Sequence, residues 1–120
     1  MVVRMNGETA ASAVAGFISI WNERDPKARR AAGERVLAPN VVYVDPEISA
    51  EGLAAFDAYV DTWQRSFPGM NFHFKEVRAH HDLVHFEWGF GRPGGEVVAE
   101  GWDAMTLGDQ GIARVYGFFA

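Results

Sequence analysis

Residues 41–46 read Val-Val-Tyr-Val-Asp-Pro, and this short run is the part of the chain that most strongly indicates its architecture. β-Branched and aromatic residues favour extended backbone, whereas an Asp-Pro pair is typical of a chain reversal at the end of a strand. The run therefore predicts a strand that ends at Asp45.

Helical patterns flank this strand on both sides. Apolar residues recur at intervals of three and four over residues 8–24 and again over residues 51–67, which predicts an amphipathic helix in each segment. A shorter helix is predicted in front of the strand, because Asp25-Pro26 is a typical helix start and Pro39-Asn40 a typical stop. Arg29-Arg30 is interpreted as part of the solvated face of that short helix.

The remainder of the chain alternates apolar and polar residues, as strands with one buried face do. Four strands are predicted, over residues 72–80, 83–91, 97–107 and 112–119. The order ααβαββββ predicts an α+β fold, in which a curved, mostly antiparallel sheet wraps around three helices and leaves an internal apolar pocket. Residues 1–120 are treated as a single domain, because 120 residues suffice for one hydrophobic core.

Composition and charge argue against several classes of partner. The chain has 11 Lys and Arg against 16 Asp and Glu, a net charge of −5, which argues against nucleic-acid and anionic-membrane partners. It has no cysteine, and no apolar run approaches the ~18–20 residues that span a bilayer. Because residues 1–12 also lack the apolar core of a secretory signal, we expect a cytoplasmic protein. His80, His81 and His85 lack the spacing of a metal motif, so no metal is predicted. No cofactor is expected either.

Two carboxylates occupy positions where apolar residues are expected. Asp45 ends the apolar strand, and Asp103 alternates with Met105 on the face predicted to be buried. Burial beside aromatic residues raises the pKa of a carboxyl group, so a buried Asp103 would be protonated and able to donate a hydrogen bond. Each has an alternative interpretation: Asp45 as a plain turn residue, and Asp103 as solvent-facing if Trp102 points inward.

Residues 41–46, followed by Gly-Leu-Ala-Ala-Phe at 52–56, resemble the nuclear transport factor 2-like superfamily, in particular its ketosteroid isomerase and SnoaL-like polyketide cyclase branches. The predicted order of elements is similar to that cone-shaped fold along nearly the whole chain. The resemblance implies that Asp45 is a general base and that Asp103 is a protonated acid that donates to the substrate oxyanion.

Ketosteroid isomerases carry a tyrosine on the first helix as the main oxyanion donor, and Phe17 takes the matching position here. Phenylalanine cannot donate a hydrogen bond, so Tyr43 or Tyr59 is expected to supply the phenol. The expected catalytic residues are Asp45, Asp103 and Tyr43. The expected substrate-binding residues are mainly aromatic: Phe17, Trp21, Tyr59, Trp63, Phe86, Trp88, Phe90 and Met105. Such residues are also typical of a plain core, and the sequence leaves both interpretations open.

Two functions fit such a site. The first is proton abstraction next to a carbonyl group of a small apolar molecule, for example a ketone, which would give isomerisation, cyclisation or dehydration without a cofactor. The second is a non-catalytic, dimeric module that binds a small ligand on the same fold. In both, the resemblance implies a homodimer through the outer face of the sheet, where His85, Glu87 and Trp102 are predicted.

Overall fold

Three helices and six strands make up the computed structural model, which describes residues 7–120. The helices are α1 (Gly7–Asn22), α2 (Pro26–Val36) and α3 (Leu53–Ser66). The strands are β1 (Leu37–Asp45), β2 (Ile48–Glu51), β3 (Asn71–His80), β4 (Leu83–Gly91), β5 (Val97–Gly108) and β6 (Gly111–Phe119). The three predicted helices are present close to their expected ends.

The strands form one curved sheet in the order β2-β1-β6-β5-β4-β3. Neighbours β1 and β6 run parallel, and the other paired strands are antiparallel. Buried residues of the helices and of the inner sheet face form one hydrophobic core between the two layers. The predicted α+β fold, with a mostly antiparallel sheet around three helices, is confirmed.

One strand, β2, is missing from the predicted order. It has four residues, Ile48–Glu51, which are too few for an alternating pattern to stand out. The strand forms because the chain reverses at Asp45, whose Oδ1 accepts the backbone N–H groups of Glu47 and Ile48 at 2.8 and 3.1 Å. The reversal lets Ile48–Glu51 pair with the end of β1 as an edge strand.

Strand β1 begins earlier in the chain than predicted. Pro39-Asn40 was expected to precede the strand, but α2 ends at Val36 and β1 begins at Leu37. Proline cannot donate to a sheet, so it is tolerated at irregular positions of a strand. The pairing of β1 with β6 shifts register between Leu37 and Val42, which is where Pro39 lies.

Strand β5 directs Asp103 into the molecule and Trp102 out of it. Asp103 and Met105 are 6% and 0% exposed, whereas Trp102 is 40% exposed. The predicted alternation is therefore confirmed, and the alternative in which Trp102 points inward is wrong. His85 and Glu87 of β4 are exposed on the same outer face as Trp102.

The prediction of a solvated Arg29 is wrong. Its side chain is 2% exposed, and its guanidinium contacts three side chains of α3. These are Asp57 (Nε to Oδ1, 2.7 Å), Gln64 (Nη1 to Oε1, 2.7 Å) and Asp61 (Nη2 to Oδ1, 3.3 Å). A guanidinium can be buried only where such acceptors replace water. The cluster fixes α2 against α3, the helix that carries Tyr59.

Candidate functional site

Asp45 is buried at the end of β1 with four hydrogen-bond donors around its carboxylate. Oδ1 accepts the two backbone N–H groups that start β2, so the turn interpretation of Asp45 holds. Oδ2 accepts the hydroxyl groups of Tyr43 at 2.8 Å and of Tyr59 at 2.7 Å. Four donors use both lone pairs of each carboxylate oxygen. Asp45 therefore has no lone pair for a substrate proton until one of these donors turns away.

The two phenols beside Asp45 are hydrogen-bond donors. Burial raises the pKa of Tyr43 well above its ordinary value, and the nearby charges of Asp103 and Asp45 raise it further. Burial also raises the pKa of Tyr59, and the hydrogen bond to Asp45 acts in the same direction. Both hydroxyl groups therefore keep their protons at neutral pH.

Asp103 is the second buried carboxyl group of the site. Its Oδ1 accepts the indole N–H of Trp88 at 3.0 Å, the one side-chain hydrogen bond that Asp103 makes within residues 7–120. No fully buried side-chain oxygen in these residues lacks a partner, so the unbonded Oδ2 is open to the cavity that Asp103 lines. Burial raises the pKa of Asp103 from 3.8 to about 7; the bond from Trp88 lowers it, and the charge of Asp45 raises it. Near neutral pH, Asp103 can therefore donate a proton or accept one.

Gly117 of β6 lets the predicted catalytic residues share one space. It pairs with Asp103 across β5 and β6. A Cβ at this position would lie 3.0 Å from Asp103 Oδ1, 3.3 Å from Asp45 Cβ and 3.5 Å from the Tyr43 hydroxyl oxygen. Asp45, Asp103 and Tyr43 thus converge around a position with no side chain, where an added Cβ would press on Asp103 and Asp45 and touch Tyr43.

A narrow, mainly apolar cavity opens beside these groups. The cavity and its mouth enclose about 350 Å³ of empty space, of which about 20 Å³ can hold the centre of a water molecule. That is room for roughly one water. The lining residues are Phe17, Ile18, Trp21, Tyr43, Asp45, Trp63, Phe72, Trp88, Asp103, Gly117 and Phe119. The predicted internal pocket is therefore present, but it is nearly filled by its own aromatic walls.

Half of the predicted substrate-binding residues line this cavity: Phe17, Trp21, Trp63 and Trp88. Phe86 and Met105 do not line it and are fully buried in the core. Phe90 also lies outside the cavity wall, where it packs on Phe72 with ring centroids 4.5 Å apart. Tyr59 reaches the site through its hydroxyl bond to Asp45 rather than through the cavity wall.

Four lining residues were not predicted: Ile18, Phe72, Gly117 and Phe119. Gly117 and Phe119 alternate with the buried Val115 on β6, so a period of two counted from Val115 would have found both. Phe72 shares the predicted alternation of its strand with Phe74, but Phe74 is 37% exposed, so alternation alone does not place Phe72 at the cavity. Its position depends on a distant residue. The side chain of Asn22 exchanges two hydrogen bonds with the backbone of Phe72, each 2.8 Å long.

The part of the chain that the structure describes holds no group of three His, Asp or Glu side chains placed to bind a metal ion. His80 and His81 lie at an exposed turn with their Nδ1 atoms 3.0 Å apart. Among α1, α2 and α3, none is long and apolar enough to cross a membrane.

Comparisons with known proteins agree with this fold. The sequence profile of a family described as the SnoaL-like domain matches residues 14–115. A crystal structure from Agrobacterium tumefaciens, provisionally described as an isomerase of the SnoaL-like family, is 29% identical to this chain and superimposes with a TM-score of 0.87. The match covers 92% of this chain and 97% of that one.

Two more distant crystal structures share the fold. One, from Sinorhizobium meliloti, is provisionally described as a polyketide cyclase; it is 19% identical, with a TM-score of 0.70 over 88% of this chain and 93% of that one. The other, from Kribbella flavida, is provisionally described as a ketosteroid isomerase; it is 16% identical, with a TM-score of 0.65 over 94% and 78%. No curated protein matches the chain.

Proposed function

Because the chain belongs to the SnoaL-like domain family and two buried carboxyl groups with different surroundings face one cavity, we propose that it is a small-molecule acid–base enzyme. It moves a proton at a carbon next to a carbonyl group and uses no cofactor. The fold by itself does not supply this conclusion, since function depends on the site.

The observation that carries the proposal is the free oxygen of Asp103. Its Oδ1 accepts the indole N–H of Trp88, whereas its Oδ2 has no hydrogen-bond donor among the described residues, and Asp103 lines the cavity. The pKa of about 7 gives a carboxyl group that is substantially protonated near neutral pH. A protonated carboxyl in an apolar site donates a hydrogen bond to a developing oxyanion.

Tyr43 connects the two carboxyl groups in this mechanism. Its hydroxyl donates to Asp45 in the ligand-free site. When a carbonyl oxygen enters beside Asp103, the Tyr43 hydroxyl turns from Asp45 to that oxygen. This movement supplies the phenol that Phe17 cannot provide, and it also frees a lone pair on Asp45 Oδ2.

The proton transfer then follows from the groups in place. Asp45 takes the proton from the carbon next to the carbonyl, and the electron pair of the C–H bond becomes the carbon–carbon double bond of an enol or enolate. Asp103 and Tyr43 donate to the oxygen on which negative charge develops. Return of the proton to a different carbon gives an isomer, and attack of the enolate on a second carbonyl gives a cyclised product.

Cavity size restricts the substrate. Room for roughly one water molecule does not hold even one carbon ring, so a ligand must displace part of the wall. Phe119 is 37% exposed, whereas Phe17, Trp21 and Trp88 are each buried. Movement of Phe119 would admit a compact, flat, apolar ketone with the least disturbance of the core.

The test measures hydrogen–deuterium exchange at the carbon next to the carbonyl of cyclopentanone, cyclohexanone and 3-cyclohexenone in D₂O. We expect the wild type to exceed Asp45→Asn and Asp103→Asn by ~10²–10³ in rate, the range for loss of one catalytic group. Asp109→Asn changes an exposed turn residue and is the matched control. Exchange at equal rates in all four proteins would overturn the proposal.

A non-catalytic binding module is the second candidate. The four hydrogen bonds of Asp45 favour it, because a carboxylate with a purely structural role in the turn would also accept bonds from the turn backbone and from two phenols. In that case the ketones would shift the NMR signals of cavity residues without any exchange above the buffer rate.

For both candidates we propose that a second copy of the chain covers the outer sheet face. Trp102 and Phe118 are 40% and 48% exposed, and their rings stack with centroids 6.1 Å apart. Aromatic surface of this kind is unusual without a partner, and a twofold axis lets one patch cover itself. Sedimentation of the wild type should give about twice the chain mass of 13.3 kDa. The Trp102→Lys variant should sediment as a monomer, whereas the control variant Asp109→Lys should sediment as a dimer. A wild-type mass of 13.3 kDa would contradict the dimer.

A further inference from the structure

Trp88 and Gly101 face each other across β4 and β5. A Cβ on Gly101 would lie 2.7 Å from Trp88 Cε2, closer still to Trp88 Cζ2, and in overlap with the backbone oxygen of Phe118. Real Cβ atoms do not approach other atoms so closely. The indole of Trp88 therefore occupies the space that any side chain at position 101 would take.

The indole is held in that space from other sides as well. The ring of Phe72 meets it edge to face at 5.4 Å between centroids, and the ring of Phe119 meets it at 6.0 Å. Edge-to-face contacts of this kind stabilise one orientation of an aromatic ring. With the ring fixed over Gly101, its N–H points at Asp103 Oδ1 at 3.0 Å.

We propose that Gly101 and Trp88 act as a positioning pair, which holds Oδ1 of Asp103 and leaves Oδ2 as the oxygen that meets a ligand. The pair deepens the proposed function, because it orients the carboxyl that donates to the substrate oxygen. Trp88 acts through Asp103 and needs no contact with the reacting atoms. Gly101 acts indirectly through Trp88, because its lack of a side chain leaves the space that the indole occupies.

The hydrogen bond has a measurable consequence for protonation. The titratable groups that face Asp103 are Asp45 and Tyr43 of β1, and neither donates to it. Trp88 is the donor that the structure shows for this carboxyl, and a donor favours the charged form. Trp88→Phe keeps an aromatic ring but removes the N–H. We expect the pKa of Asp103 to rise by about one to two units, the size of a hydrogen bond to a charged group.

The experiment is a titration of uniformly ¹³C,¹⁵N-labelled protein followed by NMR, with no substrate present. In the wild type, the Asp103 carboxyl carbon and the Trp88 indole N–H should titrate together with a midpoint near pH 7. In Trp88→Phe the carboxyl midpoint should move upward. Trp102→Phe, on the opposite face of the sheet, is the matched control and should leave the midpoint unchanged.

Substitutions at two glycines test the proposed role of Gly101. Gly101→Ala should move the Asp103 midpoint as Trp88→Phe does, whereas Gly108→Ala should not, because a Cβ at Gly108 would make ordinary contacts at 3.7 and 3.8 Å. If Gly101→Ala fails to fold, Trp88→Phe still decides the role of the indole.

Two results would overturn the positioning pair: an Asp103 midpoint that is equal in the wild type and Trp88→Phe, or an indole signal of Trp88 that does not follow Asp103. Both are read without catalysis, so they are distinguishable from failure of the proposed function. If the protein catalyses no ketone exchange but Asp103 titrates as expected, the proposed enzyme function is wrong and the positioning pair stands.

Discussion

The hydroxyl of Tyr59 on α3 lies 2.7 Å from Oδ2 of Asp45 at the end of β1, and it joins the helical layer to the sheet at the site. Both groups are buried, at 9% and 8% exposure. We expect Tyr59→Phe to lower the free energy of unfolding by about 1–2 kcal/mol, because a buried carboxylate loses one donor. Urea unfolding measures the change.

Tyr116 gives the control for that substitution. It is 37% exposed on β6, and its hydroxyl accepts from Arg114 at 3.3 Å. Tyr116→Phe should change the free energy of unfolding by less than about 0.5 kcal/mol. Equal losses in the two variants would mean that the Tyr59–Asp45 bond does not support the fold.

Protonation of Asp103 should make stability depend on pH in an unusual direction. Its folded-state pKa of about 7 exceeds the ordinary 3.8, so the folded state binds the proton more tightly. The resulting stabilisation is present below about pH 4 and is lost as pH rises toward 7. Over that range the wild type should lose up to about 1.4 kcal/mol per pH unit relative to Asp103→Asn. If the difference in unfolding free energy between the wild type and Asp103→Asn stays constant across this pH range, the pKa of Asp103 is not raised in the folded state.

Phe119 should control access to the cavity. It lies at the mouth, with its ring centroid 6.0 Å from that of Trp88 and 6.4 Å from that of Trp63. We expect Phe119→Ala to speed the exchange of the Trp88 indole proton with D₂O, because the ring that shields it is gone. Phe118→Ala removes the neighbouring ring on the outer face and should leave that rate unchanged. If the indole proton of Trp88 exchanged at the same rate in both variants, the entrance to the cavity would not be at Phe119.

The buried Arg29 should matter far more than its exposed neighbour Arg30. Arg29→Ala removes the common partner of Asp57, Asp61 and Gln64. Breaking a buried ion pair by removing one partner costs roughly 3–5 kcal/mol, and we expect the lower end because Asp61 is 36% exposed. Arg30→Ala should cost less than about 0.5 kcal/mol by the same urea unfolding. Similar losses would contradict a structural role for the cluster.

The features that the sequence predicted depend on neighbours in the chain. The inward direction of Asp103 follows from alternation with Met105, and the end of β1 follows from the chemistry of Asp45 and its proline. Both signals lie within a few residues, so no knowledge of packing is needed to detect them. Resemblance to a family added expected roles for Asp45, Asp103 and Tyr43, and these roles stay predictions.

The features that the sequence did not predict depend on distant contacts. Arg29 is buried because acceptors on α3 meet it 28 to 35 residues later in the chain. The narrowness of the cavity results from rings that four different strands and two helices bring together, which no local pattern reports. The free Oδ2 of Asp103 likewise results from the position of Trp88, one strand away.

The pH dependence of ketone exchange tests the central claim most directly. If protonated Asp103 donates to the substrate oxygen, the wild-type rate should be highest below pH 7 and fall above it, with a midpoint near the Asp103 pKa of about 7. Asp103→Asn should lose that midpoint along with most of the rate. A wild-type rate that does not change between pH 5 and 9, or an Asp103→Asn variant with the wild-type profile, would contradict the claim.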